Sequence, residues 1–367
     1  MKKCFNILIA LFLAIPLLAQ VRQERDFKRS FSVPQNAKVE VVSKYGEVII
    51  RTWELDSVKF NVVVRAEGKN SSAVAKSMSR VDIKFRKIGS VISAVTEIGS
   101  SGGIFGNVMN EVGGVIGSNK LKVDYQVWIP KDVMLSVENK YGDIYLTDLD
   151  GKVDLDVSHG DIKANDFSKS LNLKHSFGKA SFGELNDGIF TLRGAEIRID
   201  AAQDLNIESG SSEIRVDKVS RIQLNSRNDK IHLLDATEIM CEGSFTNLTS
   251  DLLRGSARLD FSYGDIYLSR IVKDFNSIDI TGKSTDINLI LNQASYTKTY
   301  IKGPEDRMIL PNSMLTMQKQ QFVEEEKISL SGFVGNTNTR HSQLLIEADG
   351  GELIIAIKET PIFVDKD

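Results

Sequence analysis

The sequence predicts an all-β fold: a parallel β-solenoid, or β-helix, of about nine to eleven coils. A small β-rich cap insertion holding one short helix is expected near its N-terminus. Three observations carry this. A unit of mostly 17–18 residues repeats nine times between Leu135 and Leu291. Apolar residues within each unit fall two apart, in two pairs. Gly, Ser, Asn and Asp separate the pairs.

The unit is aligned on the apolar residue after Gly-Asp in Lys140-Tyr141-Gly142-Asp143-Ile144. That anchor recurs as Ile162, Ala180, Ile197, Ile214, Ile231, Leu248, Ile266 and, after a longer step, Ile287. Seven residues before it stand Val137, Leu155, Leu173, Phe190, Ile207, Leu224, Cys241, Leu259 and Ile280. A step of two places neighbours on one face of a strand, so each unit reads strand, tight turn, strand, connection. One unit cannot bury its own apolar face. Stacked units can, and successive units entering the same way give parallel strands about 4.8 Å apart. Most connections are too short for the helix of a βαβ crossover.

Residues 1–19 read as a secretory leader. Lys2 and Lys3 form its basic start, Phe5 to Leu18 its apolar stretch, and Leu17-Leu18-Ala19 its cleavage site. The stretch is shorter than the roughly 20 apolar residues a membrane span needs. Cys4 precedes the apolar stretch and is not where a lipoprotein cysteine stands. Cleavage takes the formal charge from −3 to about −5, which argues against a nucleic-acid surface. It also leaves Cys241 alone, so no internal disulfide is possible.

Residues 20–56 hold an N-terminal segment and a first coil, because Lys44-Tyr45-Gly46-Glu47-Val48 nearly copies 140–144. Residues 57–130 form the cap insertion. Val58 to Val64 alternates as a strand. Ser71 or Ser72 is expected to cap a helix through Val81, with Val74, Met78 and Val81 on one face. Val81–Phe85 and Val91–Ile98 read as a hairpin, and Leu121–Ile129 as a further strand ended by Pro130. The stretch 99–118 between them holds seven glycines but also Ile104, Phe105 and Val112, too apolar for a plain linker. The array spans 131–291. In the C-terminal part, 292–367, residues 297–335 look polar and irregular. Strands at 343–347 and 352–357 then form a closing coil.

The leader, the Tyr-Gly-Asp-Ile turns at 141–144 and 263–266, and Val123-Asp124-Tyr125-Gln126-Val127-Trp128-Ile129-Pro130 leading into the array resemble a bacterial group. The chain is similar to exported adhesin-like families of unknown function, akin to the head domains of autotransporter adhesins, over roughly residues 30–358. The resemblance implies a non-enzymatic β-solenoid exported to the cell envelope, in the periplasm, at the cell surface or secreted.

Two surface columns are candidates for chemistry. Tyr141, His159, Phe177, Phe245 and Tyr263 stand three residues before the anchor, so a row of rings could stack on sugars; the plainer alternative is an aromatic ladder that stabilises the turn. One residue before the anchor stand Glu47, Asp143, Asp161, Glu196, Glu213, Asp265 and Asp286. Such a row could bind Ca²⁺ or supply a glycosidase pair, but acids also suit tight turns. His159 and His175 lie in adjacent coils, while His232 and His341 stand apart, so no metal site is expected. No nucleophile elbow, zinc-protease motif or phosphate loop occurs, and no cofactor is called for. The sequence favours a binding or structural envelope module whose partner is a glycan or an envelope protein. A carbohydrate-active β-helix enzyme and an envelope-signalling accessory are the alternatives.

Overall fold

The computed structural model describes residues 20–99, 115–116, 119–323, 326–335 and 342–358. The leader with Cys4, most of the glycine-rich stretch, Glu324, Glu325 and His341 lie outside the described residues. The protein is all-β: among the described residues 23 strands join one sheet that does not close on itself. No helix among the described residues is long and apolar enough to cross a membrane.

Strict alternation builds the first unit. Strand β1 (Val21–Ser32) precedes it. Strands β2 (Lys38–Lys44) and β3 (Val48–Trp53) follow, with Val39, Val41, Val48 and Ile50 buried and their neighbours turned outward. The 12-residue β1 was not foreseen as an element. Its sequence is charged at six positions, and only Val21, Phe27 and Phe31 pack on the core. It pairs antiparallel with β4 (Ser57–Gly68) at the outside of the sheet, where charge blunts an edge that would otherwise recruit other chains.

The helix α1 (Ser71–Ser79) is where the sequence placed one, with two corrections. Its cap is Asn70, whose side chain accepts the Ser72 N–H at 2.9 Å, rather than Ser71 or Ser72. It stops at Ser79, because Val81 is already the first residue of β5 (Val81–Ile88). Val74 and Met78 are buried as the spacing requires. β5 and β6 (Val91–Ile98) form the expected antiparallel hairpin. The short β7 (Val115–Ile116) turns back on β8 (Asn119–Pro130). The insertion covers the first unit with strands of its own: Ile92 of β6 lies beside Val39, and Tyr125 of β8 beside Val48, both in parallel pairs.

The array then repeats one register. Strands β9 (Met134–Lys140) and β10 (Ile144–Leu146) make the next unit, and β11 (Val153–Ser158) and β12 (Ile162–Ala164) the one after. Val41 pairs with Val137, Val137 with Leu155 and Leu155 with Leu173. The longer β13 (Leu171–Gly210), β14 (Glu213–Arg227), β15 (Lys230–Ser250), β16 (Leu253–Leu268) and β17 (Ser277–Asn292) run on through their corners. Ile207 meets Leu224, Leu224 meets Cys241, Cys241 meets Leu259 and Leu259 meets Ile280. These strands pair in parallel, and all the residues of this row are buried while Asn206 and Gln223 are exposed.

The C-terminal part is more ordered than its polar composition indicates. The stretch 297–335 was read as irregular, yet it holds β18 (Thr297–Gly303), β19 (Met308–Ile309), a short helix α2 (Asn312–Leu315), β20 (Gln318–Phe322) and β21 (Lys327–Val334). β18, β21 and β20 form an antiparallel ribbon, held by Met314 underneath and carrying polar residues on its outer strand. The expected closing strands are β22 (Ser342–Asp349) and β23 (Leu353–Lys358). They continue the array in register, Ile278 beside Leu344 and Ile287 beside Leu353. Spatial order departs from chain order here: β22 lies between β17 and β18.

Candidate functional site

Each unit turns a corner three residues before its anchor, and the backbone there is left-handed. Tyr45, Tyr141, His159, Phe177, Gly194, Ser211, Asn228, Phe245, Tyr263 and Ser284 all hold φ between 48° and 66°. A Tyr-Gly-Asp turn would ordinarily take its positive φ from the glycine. Among Gly142, Gly160, Gly178 and Gly264 only Gly264 has one, at 150°. The glycines serve a different need. A Cβ on Gly142 would collide with the carbonyl oxygen of Gly46, one on Gly160 with that of Gly142, and one on Gly178 with that of Gly160. Backbones of successive units approach too closely there for any side chain. Towards the middle of the array the same column opens and takes Ala195, Ser212, Asp229 and Thr246. Buried Asp229 accepts from Ser209 Oγ at 2.5 Å, Ser226 Oγ at 2.6 Å and the Ser212 N–H at 2.6 Å, so its charge is fully hydrogen-bonded.

The register brings the predicted rings together in two groups. Tyr141 lies 5.0 Å from His159, and His159 lies 5.1 Å from Phe177. Phe245 stacks on Tyr263 at 5.0 Å with planes 9° apart. Gly194, Ser211 and Asn228 occupy the corners between the groups, so the five residues do not form one row. Sequence reading left Tyr45 out of the row. It extends the first group, 5.5 Å from Tyr141 and nearly parallel, and the copied Lys-Tyr-Gly motif at 44–46 was the signal for it. Tyr45 is buried, with Lys44 Nζ 4.7 Å from its ring centre; Lys140 Nζ sits 5.2 Å from that of Tyr141. Phe177, Phe245 and Tyr263 are 59 %, 57 % and 46 % exposed.

Tyr45 stacks on Tyr141 and Phe245 on Tyr263, while His159 is tilted 42° and 39° against Tyr141 and Phe177. Only a ring at the end of a group can offer a face. The clefts beside the two groups differ as well. Beside Tyr141, a cleft of about 370 Å³ is bordered by charges that neutralise one another: Lys122 pairs with Glu47 at 2.9 Å, and Arg65 pairs with Asp124 and with Glu24. Beside Phe245, a cleft of about 380 Å³ is lined by Asn225, Arg227, Glu242 and Asp260.

The acidic column is put to structural use. Asp143 Oδ1 accepts the Asp161 N–H at 2.9 Å, Asp161 Oδ1 the Lys179 N–H at 2.8 Å, and Asp286 Oδ1 the Glu352 N–H at 2.8 Å. Each carboxylate thereby fastens its corner to the next unit. Glu196 pairs instead with Lys179 at 2.5 Å. Among the described residues no three His, Cys, Asp or Glu side chains come together as a metal site. His159 belongs to the ring row. His175 is buried, and burial lowers its pKa below the ordinary imidazole value. His232 lies elsewhere, between Arg215 and Asp251. Cys241 is buried and burial raises its thiol pKa, so it is held as the neutral thiol.

No protein-family model matches the sequence, and no curated protein matches it significantly. Solved structures do. One is a "putative adhesin" from Bacteroides fragilis, at 12% identity and TM-score 0.35, covering 72% of this chain and 96% of that one. A "putative lipid binding protein" from Parabacteroides distasonis has the same identity and coverage and a TM-score of 0.31. A "putative cell adhesion protein" from Clostridium sporogenes, 12% identical with a TM-score of 0.15, covers 91% of this chain and 100% of that one. The structural neighbours of this chain are thus named mainly as adhesins or cell adhesion proteins of Bacteroidetes and Clostridium, at low sequence identity.

Proposed function

We propose that the chain is a non-enzymatic, exported module of the cell envelope, adhesin-like, that binds a glycan or an envelope protein along its row of corners. In this reading residues 1–19 are a cleaved leader and 20–56 the N-terminal segment with the first coil. Residues 57–130 are the cap, 131–291 the β-solenoid array, and 292–367 the closing coil and cap. The repeated 17- and 18-residue registers support a solenoid of nine to eleven coils.

One observation carries the functional reading: His159, Phe177, Phe245 and Tyr263 stand exposed at left-handed corners. A non-glycine residue there costs roughly 1–2 kcal/mol. A ring contact returns about 0.5–1.5 kcal/mol. Stacking therefore barely offsets the strain, and glycine or asparagine would avoid it, as at Gly194 and Asn228. The rings at Tyr141, His159, Phe177, Phe245 and Tyr263 are better accounted for by what meets them from outside. The non-enzymatic part is favoured by the corner carboxylates, since Asp143, Asp161 and Asp286 are occupied in fastening one unit to the next. A glycan array combined with polysaccharide-hydrolysis assays on the chain from residue 20 tests the reading. Retention of a glycan or an envelope protein without turnover is expected; turnover of any glycan overturns it.

A further inference from the structure

Phe245 is a ring at the end of its group. Tyr263 covers one of its faces. The opposite face looks toward Asn228, whose short side chain turns away to donate from Nδ2 to Ser211 Oγ at 3.1 Å. No ring or ammonium group stacks there. At the end of the other group, Phe177 crowds its neighbouring corner: two of its ring atoms lie 3.1 Å from the place a Gly194 Cβ would take. Tyr45 and Tyr141 give their faces to each other and to Lys44 and Lys140.

The cleft next to Phe245 supplies the complementary chemistry. Asn225, Arg227, Glu242 and Asp260 line it, and their side chains make no hydrogen bond or ion pair among the described residues. These are planar amide, guanidinium and carboxylate groups, each able to engage two neighbouring hydroxyls at once. An apolar ligand would strand them without partners. A ligand carrying its own net negative charge would meet two carboxylates against one guanidinium. What fits is a ring with C–H groups on one face and hydroxyls around its rim.

We propose that the cleft of about 380 Å³ at Phe245 is a subsite for a neutral saccharide. One sugar ring stacks on the open face of Phe245, and its hydroxyls are held by Asn225, Arg227, Glu242 and Asp260. The proposal rests on reading the molecule as a glycan-binding module and narrows it to one place and one ligand class.

Saturation-transfer NMR titrations of the chain from residue 20 test it, with cellotriose, chitotriose, maltotriose and mannotriose as neutral probes and trigalacturonate as the anionic one. At least one neutral trisaccharide binds the unmodified chain. Phe245→Ala and Glu242→Gln weaken it about tenfold or more, Phe245→Trp retains it, and Leu55→Ala, at an exposed site between β3 and β4 and away from the row, leaves it unchanged. Melting curves confirm that each variant is folded. Three results overturn the subsite: no neutral probe binds, trigalacturonate alone binds, or binding survives Phe245→Ala and falls in Tyr141→Ala. The last two leave glycan binding by the module standing. With no neutral probe bound, a positive glycan array leaves the broader reading intact, whereas an array that retains nothing and an envelope that supplies no protein partner remove it.

Discussion

Tyr263 holds φ at 60° while its ring lies 5.0 Å from that of Phe245, so strain and stacking meet in one residue. Alanine at 263 keeps the strain and loses the contact; glycine loses the contact and relieves the strain. Tyr263→Ala is therefore expected to be less stable than Tyr263→Gly by about 1 kcal/mol, the reverse of the usual order in a strand. Urea-denaturation midpoints check this, and a glycine variant below the alanine one would refute the corner assignment. Next to it in role, Gly160→Val drives a side chain into the Gly142 carbonyl and is expected to cost about 1–3 kcal/mol. His175 gives a pH signature. Burial depresses its folded pKa below the 6.5 of the free side chain, so the unfolded chain takes up a proton first as pH falls. Its contribution is complete above about pH 6.5 and is lost below that, until the folded pKa is reached. His175→Leu, imitating Leu192 in the next unit, should flatten stability between pH 7 and 5; an unchanged slope would show that other groups set it.

At the scale of single elements, β1 shows how an edge strand hides from sequence reading. Arg22, Glu24, Arg25, Asp26, Lys28 and Arg29 remove the alternation that marked the other strands, because a charged edge guards against pairing with other molecules. Removing residues 20–32 uncovers the long edge of β4. Light scattering should then find dimers or larger species where the full chain gives a smaller, uniform mass; an unchanged mass would mean that β4 needs no cover. The inward columns were legible because every unit repeats the same two-residue step, and Val41, Val137, Leu155 and Leu173 fall in line from spacing alone. The corners were half legible. Tyr-Gly-Asp looks like a turn whose glycine takes the left-handed backbone, and only the nearness of the Gly46 carbonyl to Gly142 shows that the glycine answers to a neighbouring unit. The open face of Phe245 was not legible at all, since it depends on where the side chain of Asn228 turns.

Across the molecule, contacts run from each unit to the next, and this sets how damage spreads. Ile207→Asp places an unpaired charge between Leu224 and the unit on its other side, at a cost of several kcal/mol. Asn206→Asp, one residue away and exposed, should stay within about 0.5 kcal/mol. Amide exchange read by mass spectrometry should quicken in the units flanking Ile207 and fade with distance; uniform quickening would indicate a single cooperative block. The cap over the first unit is held by partners far apart in sequence, Val39 with Ile92 and Val48 with Tyr125, which no local pattern announces. The other end carries a consequence for how such a sheet is made and how it grows. β18 to β21 leave the ribosome before β22 and β23, yet β22 is the strand that lies between β17 and β18. The final slot is filled from the side, by chain that arrives late, and until then two strand edges face each other across a gap. A unit appended after residue 358 would find the place beside β22 and β23 already taken by β18 and β19. A gene duplication that doubles a unit between 196 and 244 inserts into a continuous parallel register, so added length is accommodated more readily from within.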